Sequence, residues 1–388
     1  MSYLKRFFAV ALVTILSIGT ANSALTPEAL PRVIDQLISS KTLGNPAMLI
    51  IDGKTGETVF EKNADVPRKP ASVMKLLAGV STLEYLDPES VFSTTILHIP
   101  SEKLLVIRGS LDPWISLNTT VARKMNRAAL PFMAYRTLSV VKKENPSSLK
   151  GYTVLYSNLF SQDVTNFKKY WSDRGFKPTI TKKAPSELSL LTGEEVVVEN
   201  SPPVNKILEW MLLWSDNLLA ERLTKIAARS AGYSMDTAGV EMIFRELLAH
   251  FEIDDSKLVV ADASGLSKSN RVTSRLIATL LFKIRLEEKF AKIYEYLPVS
   301  GVSGTLSERY LTTAPDAIGL IRAKTGTLNG TATLAGYIEA GEHEYIFVTL
   351  ADTIPKGNTA LEKARAAIDR MLGRIAAPNI PTEISSAP

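Results

Sequence analysis

Ser72 and Lys75 stand three positions apart at the start of an apolar-periodic stretch of this 388-residue chain. On a helix that spacing puts both side chains on one face and within hydrogen-bond reach. A serine hydroxyl is a weak nucleophile until a base takes its proton, and a lysine can take it once burial or a neighbouring cation brings its pKa to about 7–8. The amino end of a helix adds free N–H groups and partial positive charge beside the hydroxyl. The spacing alone is cheap: Ser139 with Lys142 and Ser147 with Lys150 repeat it, and an N-capping serine beside a solvated lysine satisfies it equally well.

Two further groups could join this pair. Ser215-Asp216-Asn217 interrupts a strongly apolar helical run, Leu208 with Trp210-Met211-Leu212-Leu213-Trp214 before it and Leu218-Leu219 after it. Polar residues in such surroundings must face a cleft or find buried partners. A hydroxyl there can relay a proton, and an amide can donate to a substrate carbonyl while accepting from a lysine. A helix break or cap is the plainer reading, and Ser116-Leu117-Asn118 repeats the bare pattern. The third group is Lys324-Thr325-Gly326 with Thr327, at the end of the strand-like run Gly319 to Ala323. On a strand Lys324 and Gly326 share a face, so the lysine supplies a fixed cation and the glycine leaves room for a substrate backbone. Lys54-Thr55-Gly56 carries the same letters inside a turn, where turn chemistry explains it.

The elements that must position these groups follow from periodicity. Residues 47–62 predict a hairpin turning at Asp52-Gly53-Lys54-Thr55-Gly56, and Val73, Leu76, Leu77, Val80 and Leu83 recur at helical spacing from Ser72 to Leu86. Residues 91–202 differ in texture, with short apolar stretches between polar loops. Helical patterns resume from Val204 to Ala231, Ala238 to His250 and Ser274 to Phe282. Two alternating strands, Thr331–Glu339 and Glu344–Leu350, and an amphipathic helix from Ala360 to Ile375 precede a Pro-containing tail. The expectation is an α/β (α+β) fold: one antiparallel sheet assembled from both chain ends and flanked by helices, a helical lobe beside it, and one inserted small domain. The corresponding boundaries are a signal segment at 1–23, a main domain of 24–90 with 203–388, and an insertion at 91–202.

Composition narrows the functions. Lys and Arg number 45 against 40 Asp and Glu, a net charge of +5 that is too weak a bias to argue for nucleic acid. The absence of cysteine excludes zinc-thiolate sites, iron–sulfur clusters and Cys nucleophiles. His98, His250 and His343 match no metal-ligand spacing, so neither metal nor cofactor is expected. Lys5-Arg6, an apolar run from Phe7 to Ile18 and small residues to Ala24 read as a cleaved secretory signal. Its apolar run of about 12 residues falls short of the roughly 20 that span a bilayer. No later segment is long and apolar enough to do so, and the expected location is periplasmic or elsewhere in the extracytoplasmic envelope.

The ordered set is what is specific: Ser72/Lys75, then Ser215/Asn217 143 residues on, then Lys324/Thr325/Gly326 after another 109. In this order the sequence resembles the penicillin-recognising serine acyltransferases. The blocks Trp214-Ser215-Asp216-Asn217-Leu218-Leu219-Ala220-Glu221, Asp262-Ala263-Ser264-Gly265-Leu266-Ser267, Leu297 to Leu306 and Ala323 to Leu328 resemble the class C low-molecular-mass penicillin-binding proteins, which are D-alanyl-D-alanine carboxypeptidases and endopeptidases. The resemblance implies that Ser72 attacks the penultimate D-alanine carbonyl of a peptidoglycan stem peptide while Lys75 takes the proton. It implies that Lys324 keeps Lys75 neutral and binds the terminal carboxylate with Thr325 and Thr327. Ser215 with Lys75 returns a proton to the leaving amine, Asn217 holds the substrate amide, and the N–H groups of Ser72 and Thr327 form an oxyanion hole. β-Lactam antibiotics should acylate Ser72 and leave slowly. A serine β-lactamase or esterase on the same scaffold and a non-catalytic binder of cell-wall fragments are the alternatives. The family usually carries two insertions, of which one is present here. It also tends to have aspartate, recognising a diaminopimelate amine, where this chain has Tyr156; Asp112 and Asp163 are candidate substitutes.

Overall fold

The computed structural model describes residues 30–377; the signal segment and most of the Pro-containing tail lie outside them. Helix α1 (Leu30–Ile38) leads into the hairpin of β1 (Ala47–Asp52) and β2 (Thr58–Lys62). The carboxylate of Asp52 accepts the N–H groups of Lys54 and Thr55, each at 2.8 Å, so that Lys54-Thr55-Gly56 is turn structure. A 3-10 turn, Ala71–Met74, then runs into α2 (Lys75–Tyr85). Ser72 therefore sits in the tight turn before the α-helix, and the helix proper begins at the lysine, a later start than the periodicity suggests. Every residue from Lys75 to Leu83 is buried, as befits a helix apolar on all sides.

The chain next builds β3 (Val91–Ile99), β4 (Leu104–Gly109), α3 (Thr119–Lys124), α4 (Leu130–Glu144), β5 (Thr153–Ser157), α5 (Ser161–Ser172), β6 (Thr179–Lys182), α6 (Pro185–Ser189) and β7 (Glu194–Pro203). These strands form a five-stranded mixed sheet of order β6-β5-β4-β3-β7, in which the β4–β5 and β5–β6 pairs are parallel. It has its own core, centred on Leu105, Val154, Phe167 and Trp171. Helices α7 (Val204–Trp214), α8 (Asn217–Ser230), α9 (Thr237–His250), α10 (Ser274–Arg285) and α11 (Ala291–Tyr296) follow, and then β8 (Ile321–Leu328), β9 (Thr331–Ala340), β10 (His343–Ala351) and α12 (Asn358–Ala376).

The second sheet, β2-β1-β10-β9-β8, is antiparallel throughout and joins the two ends of the chain through the β1–β10 pairing, Ala47 opposite Leu350 to Asp52 opposite Tyr345. Side chains alternate across it. Leu49, Ile51, Ile346 and Val348 pack against α2 and the helical lobe, whereas Met48, Ile50 and Phe347 pack against α1 and α12. Covered on both faces, β10 reads as a continuous apolar run at its centre. Lys324, Thr325 and Gly326 fall in the middle of β8, because the strand extends to Leu328.

Candidate active site

The turn that carries Ser72 is held from three sides. Ala71 is buried with φ of 47°, a left-handed backbone that non-glycine residues rarely adopt. Its carbonyl lies against Gly265, where φ is 81° and any Cβ would overlap that carbonyl. On the sheet side, Thr333 on β9 donates its hydroxyl to Pro70 O at 2.8 Å. A Cβ at Gly326 would collide with the Thr333 hydroxyl and lie 2.9 Å from Pro70 O and 3.0 Å from Ser72 N. Glycine at 326 thus lets the strand approach the serine turn, a packing reason for glycine that stands beside the expectation that it leaves room for substrate.

Lys75 is fully buried, and its ammonium nitrogen meets three acceptors: Ser72 Oγ at 2.9 Å, Asn217 Oδ1 at 2.6 Å and the Ser264 carbonyl at 2.6 Å. Burial brings its pKa down to about 8, against the opposing charges of Asp262, Asp216 and Glu221. Lys324 is also fully buried, its Nζ donating to Thr325 O at 3.1 Å. Burial, and then the charge of Lys75, hold Lys324 well below the usual lysine range. Two buried amines that repel each other cannot both be charged cheaply, and the charges of Asp262, Asp216 and Glu221 favour the proton on Lys75.

The break between α7 and α8 is both a structural joint and part of the site. Ser215 takes a left-handed conformation, φ 60°, at the end of α7. Asp216 caps α8 by accepting Leu219 N at 3.0 Å, and this turns Asn217, the first residue of α8, towards Lys75. Ser215 lines a cavity of about 620 Å³ with Ser72, Thr305, Thr325 and Thr327. Among the described residues its hydroxyl makes no hydrogen bond to Ser72 or Lys75. Thr325 Oγ1 pairs with Thr305 Oγ1 at 2.7 Å.

Several supporting residues carry no chemical signature in the sequence. Glu221 Oε1 accepts the N–H groups of both Ala263 and Ser264 at 2.9 Å. Asp262 accepts from Gly265 N at 2.6 Å, Ser267 N at 2.5 Å and Asn270 Nδ2 at 2.9 Å. Together they fix the loop whose Ser264 carbonyl orients Lys75. Both carboxylates stand in blocks that carry the family resemblance, but a backbone acceptor cannot be read from residue type.

The two candidate substitutes for the amine-binding aspartate serve internal structure instead. Asp163 pairs with Arg222 at 3.1 Å, both buried, and Asp112 accepts Trp114 N at 2.8 Å and the Ser201 hydroxyl at 2.5 Å. Tyr156 is a partly buried neighbour of the mixed sheet's core, on β5. Among the described residues no cluster of His, Asp or Glu could hold a metal ion.

Similarity to known proteins agrees with this geometry. A carboxypeptidase DacB from Mycolicibacterium smegmatis is 27% identical over 397 aligned positions, covering 90% of this chain and 86% of the relative. Penicillin binding protein 4 of Haemophilus influenzae superposes with a TM-score of 0.67 at 15% identity, over 88% of this chain and 98% of that one. A penicillin G–acylated predatory endopeptidase from Bdellovibrio bacteriovorus, in complex with an immunity protein, gives 0.57 at 16% identity over 86% and 92%. Fold and site define a serine hydrolase of the penicillin-recognising class. Within that class the chain belongs to the D-Ala-D-Ala carboxypeptidase 3 (S13) family, matched over residues 31–129 and 161–375.

Proposed function

We propose that this protein is a serine DD-peptidase working through a Ser72 acyl-enzyme on peptidoglycan stem peptides. The observation that carries the reading is the buried Lys75 ammonium nitrogen 2.9 Å from Ser72 Oγ, with its pKa brought to about 8. Lys75 takes the Ser72 proton as Oγ bonds to the D-alanyl carbonyl carbon. The tetrahedral oxyanion forms next to Ser72 N and the β8 backbone at Thr327, where N–H donors can stabilise it. Collapse breaks the C–N bond, and the proton passes from Lys75 by way of Ser215 to the leaving amine. Water then cleaves the acyl ester, and Asn217 divides its amide between Lys75 and the substrate.

Both carboxypeptidase and endopeptidase cleavage fit this sequence of steps, because both attack the carbonyl of a D-alanine and release an amine. Export to the cell envelope agrees with the signal-like residues 1–23 and with a cell-wall substrate, and no helix among the described residues is long and apolar enough to cross a membrane. The separate sheet and core of residues 91–203 support reading 91–202 as an insertion within a catalytic domain made of 24–90 and 203–388. Mass spectrometry of purified muropeptides after incubation tests the activity. Loss of one alanine residue from pentapeptides marks the carboxypeptidase and splitting of cross-linked dimers the endopeptidase; unchanged muropeptides, or equal cleavage by Ser72→Ala, overturn the proposal.

A further inference from the structure

Side chains alternate along β8, so Thr325 and Thr327 face away from Lys324 and Gly326. The two threonines line the cavity that holds Ser72, whereas Lys324 is fully buried, does not line it, and has its Nζ on a backbone carbonyl. A carboxylate resting on the two threonine hydroxyls would thus lie in the cavity, which the fully buried Lys324 does not line. Helix α12 forms the facing wall and contributes Arg365, with Arg309 beside it. Arg309 is committed to Asp369, with Nε at 3.2 Å and Nη2 also in contact. Arg365 instead extends Nη2 to Thr327 Oγ1 at 2.8 Å. Its Nη1 is held by Glu362 at 2.6 Å, an acid whose side chain is 66% exposed and therefore screened by water on the outer side.

We propose that Arg365 binds the carboxylate at the leaving-group end of the substrate, together with the hydroxyls of Thr325 and Thr327, and so selects compounds bearing a free acid next to the bond that Ser72 attacks. The planar guanidinium offers paired donors that match a carboxylate, and the Thr327 contact already aims one of them into the cavity. This assignment rests on the acyl-enzyme reading above and adds the element that makes the reaction selective.

The test compares acylation by benzylpenicillin with acylation by its methyl ester, followed by intact-protein mass against time. Arg365→Gln should lower the ratio of acid to ester rates by about ten- to a hundredfold, the worth of a charge-assisted hydrogen-bonded pair, and Arg365→Lys should fall between. Equal slowing of acid and ester would mark Arg365 as merely structural, and an unchanged ratio would show that the carboxylate binds elsewhere; either result overturns the assignment. Failure of both compounds to acylate the unaltered protein would instead remove the acyl-enzyme reading on which it rests.

Discussion

Lys75 must be neutral to take a proton from Ser72, and it is neutral above its pKa of about 8. The rate of acylation by a β-lactam should therefore climb as pH rises through 8 and level off above it; stopped-flow measurement of the rate from pH 6 to 10 checks this, and a flat profile would contradict a lysine base. Lys324 yields a second expectation. A fully buried amine that has no carboxylate partner among the described residues costs stability, so Lys324→Met should stabilise the fold at pH 7 by about 1–3 kcal/mol while abolishing acylation. Calorimetry paired with antibiotic labelling reads both effects. At this scale the sequence was informative through order: Ser72, Lys75, Asn217 and Lys324 stand out as members of three triplets that follow one another in the family's order, and Asn217 also because its triplet interrupts an apolar helical run. It was silent about Arg365 and Glu221, which look like ordinary charges on helices and acquire meaning only from what they face.

The elements show where periodicity succeeds and where it stops. The strands β9 and β10 and the helix α12 lie within two residues of their predicted ends, because the apolar runs of the strands record burial on a sheet covered from both sides and the amphipathic period of α12 records the face it lays on that sheet. The serine turn was not legible, since its 3-10 geometry follows from the left-handed Ala71 and its contacts with Gly265 and Thr333, all of them tertiary. The same contacts make Gly326 a sensitive position. Gly326→Ala would force β8 away from Pro70 and Ser72, costing about 1–3 kcal/mol of stability and most of the acylation rate. Chemical denaturation together with labelling kinetics measures the two losses, and an alanine variant that acylates normally would show that β8 need not lie so close to the serine.

At the level of the whole molecule, the mixed-sheet segment, proposed above to be an insertion, meets the helical lobe through buried polar groups: Asp163 on α5 pairs with Arg222 on α8, which also reaches Pro113 O beside Asp112. Burial raises Asp112 to about 6 from an ordinary value of 3.8, against the lowering effect of the Ser201 and Trp114 hydrogen bonds. Its folded pKa is above its unfolded one, so the ionised carboxylate costs stability above pH 6 and the cost vanishes as pH falls towards 3.8. Asp112→Asn should hence be more stable at pH 7–8, by on the order of 2 kcal/mol, with the difference closing in acid; urea titrations across that range would expose a pH-independent difference if the idea is wrong. Sheet assembly from both chain ends was foreseeable from the order of strand and helix patterns. The roles of Asp112 and Asp163 were not, because a buried structural carboxylate and a ligand-binding one have the same letters. What unites the scales is the convergence of Ser72, Lys75 and Asn217 from remote parts of the chain, beside the strand that carries Lys324, and the proposal that Lys75 activates the Ser72 hydroxyl. Peptide mapping after exposure to benzylpenicillin tests it most directly: a single adduct on the peptide containing Ser72, absent in Ser72→Ala and lost with Lys75→Ala, is the expected result, and an adduct elsewhere or undiminished in either variant would contradict it.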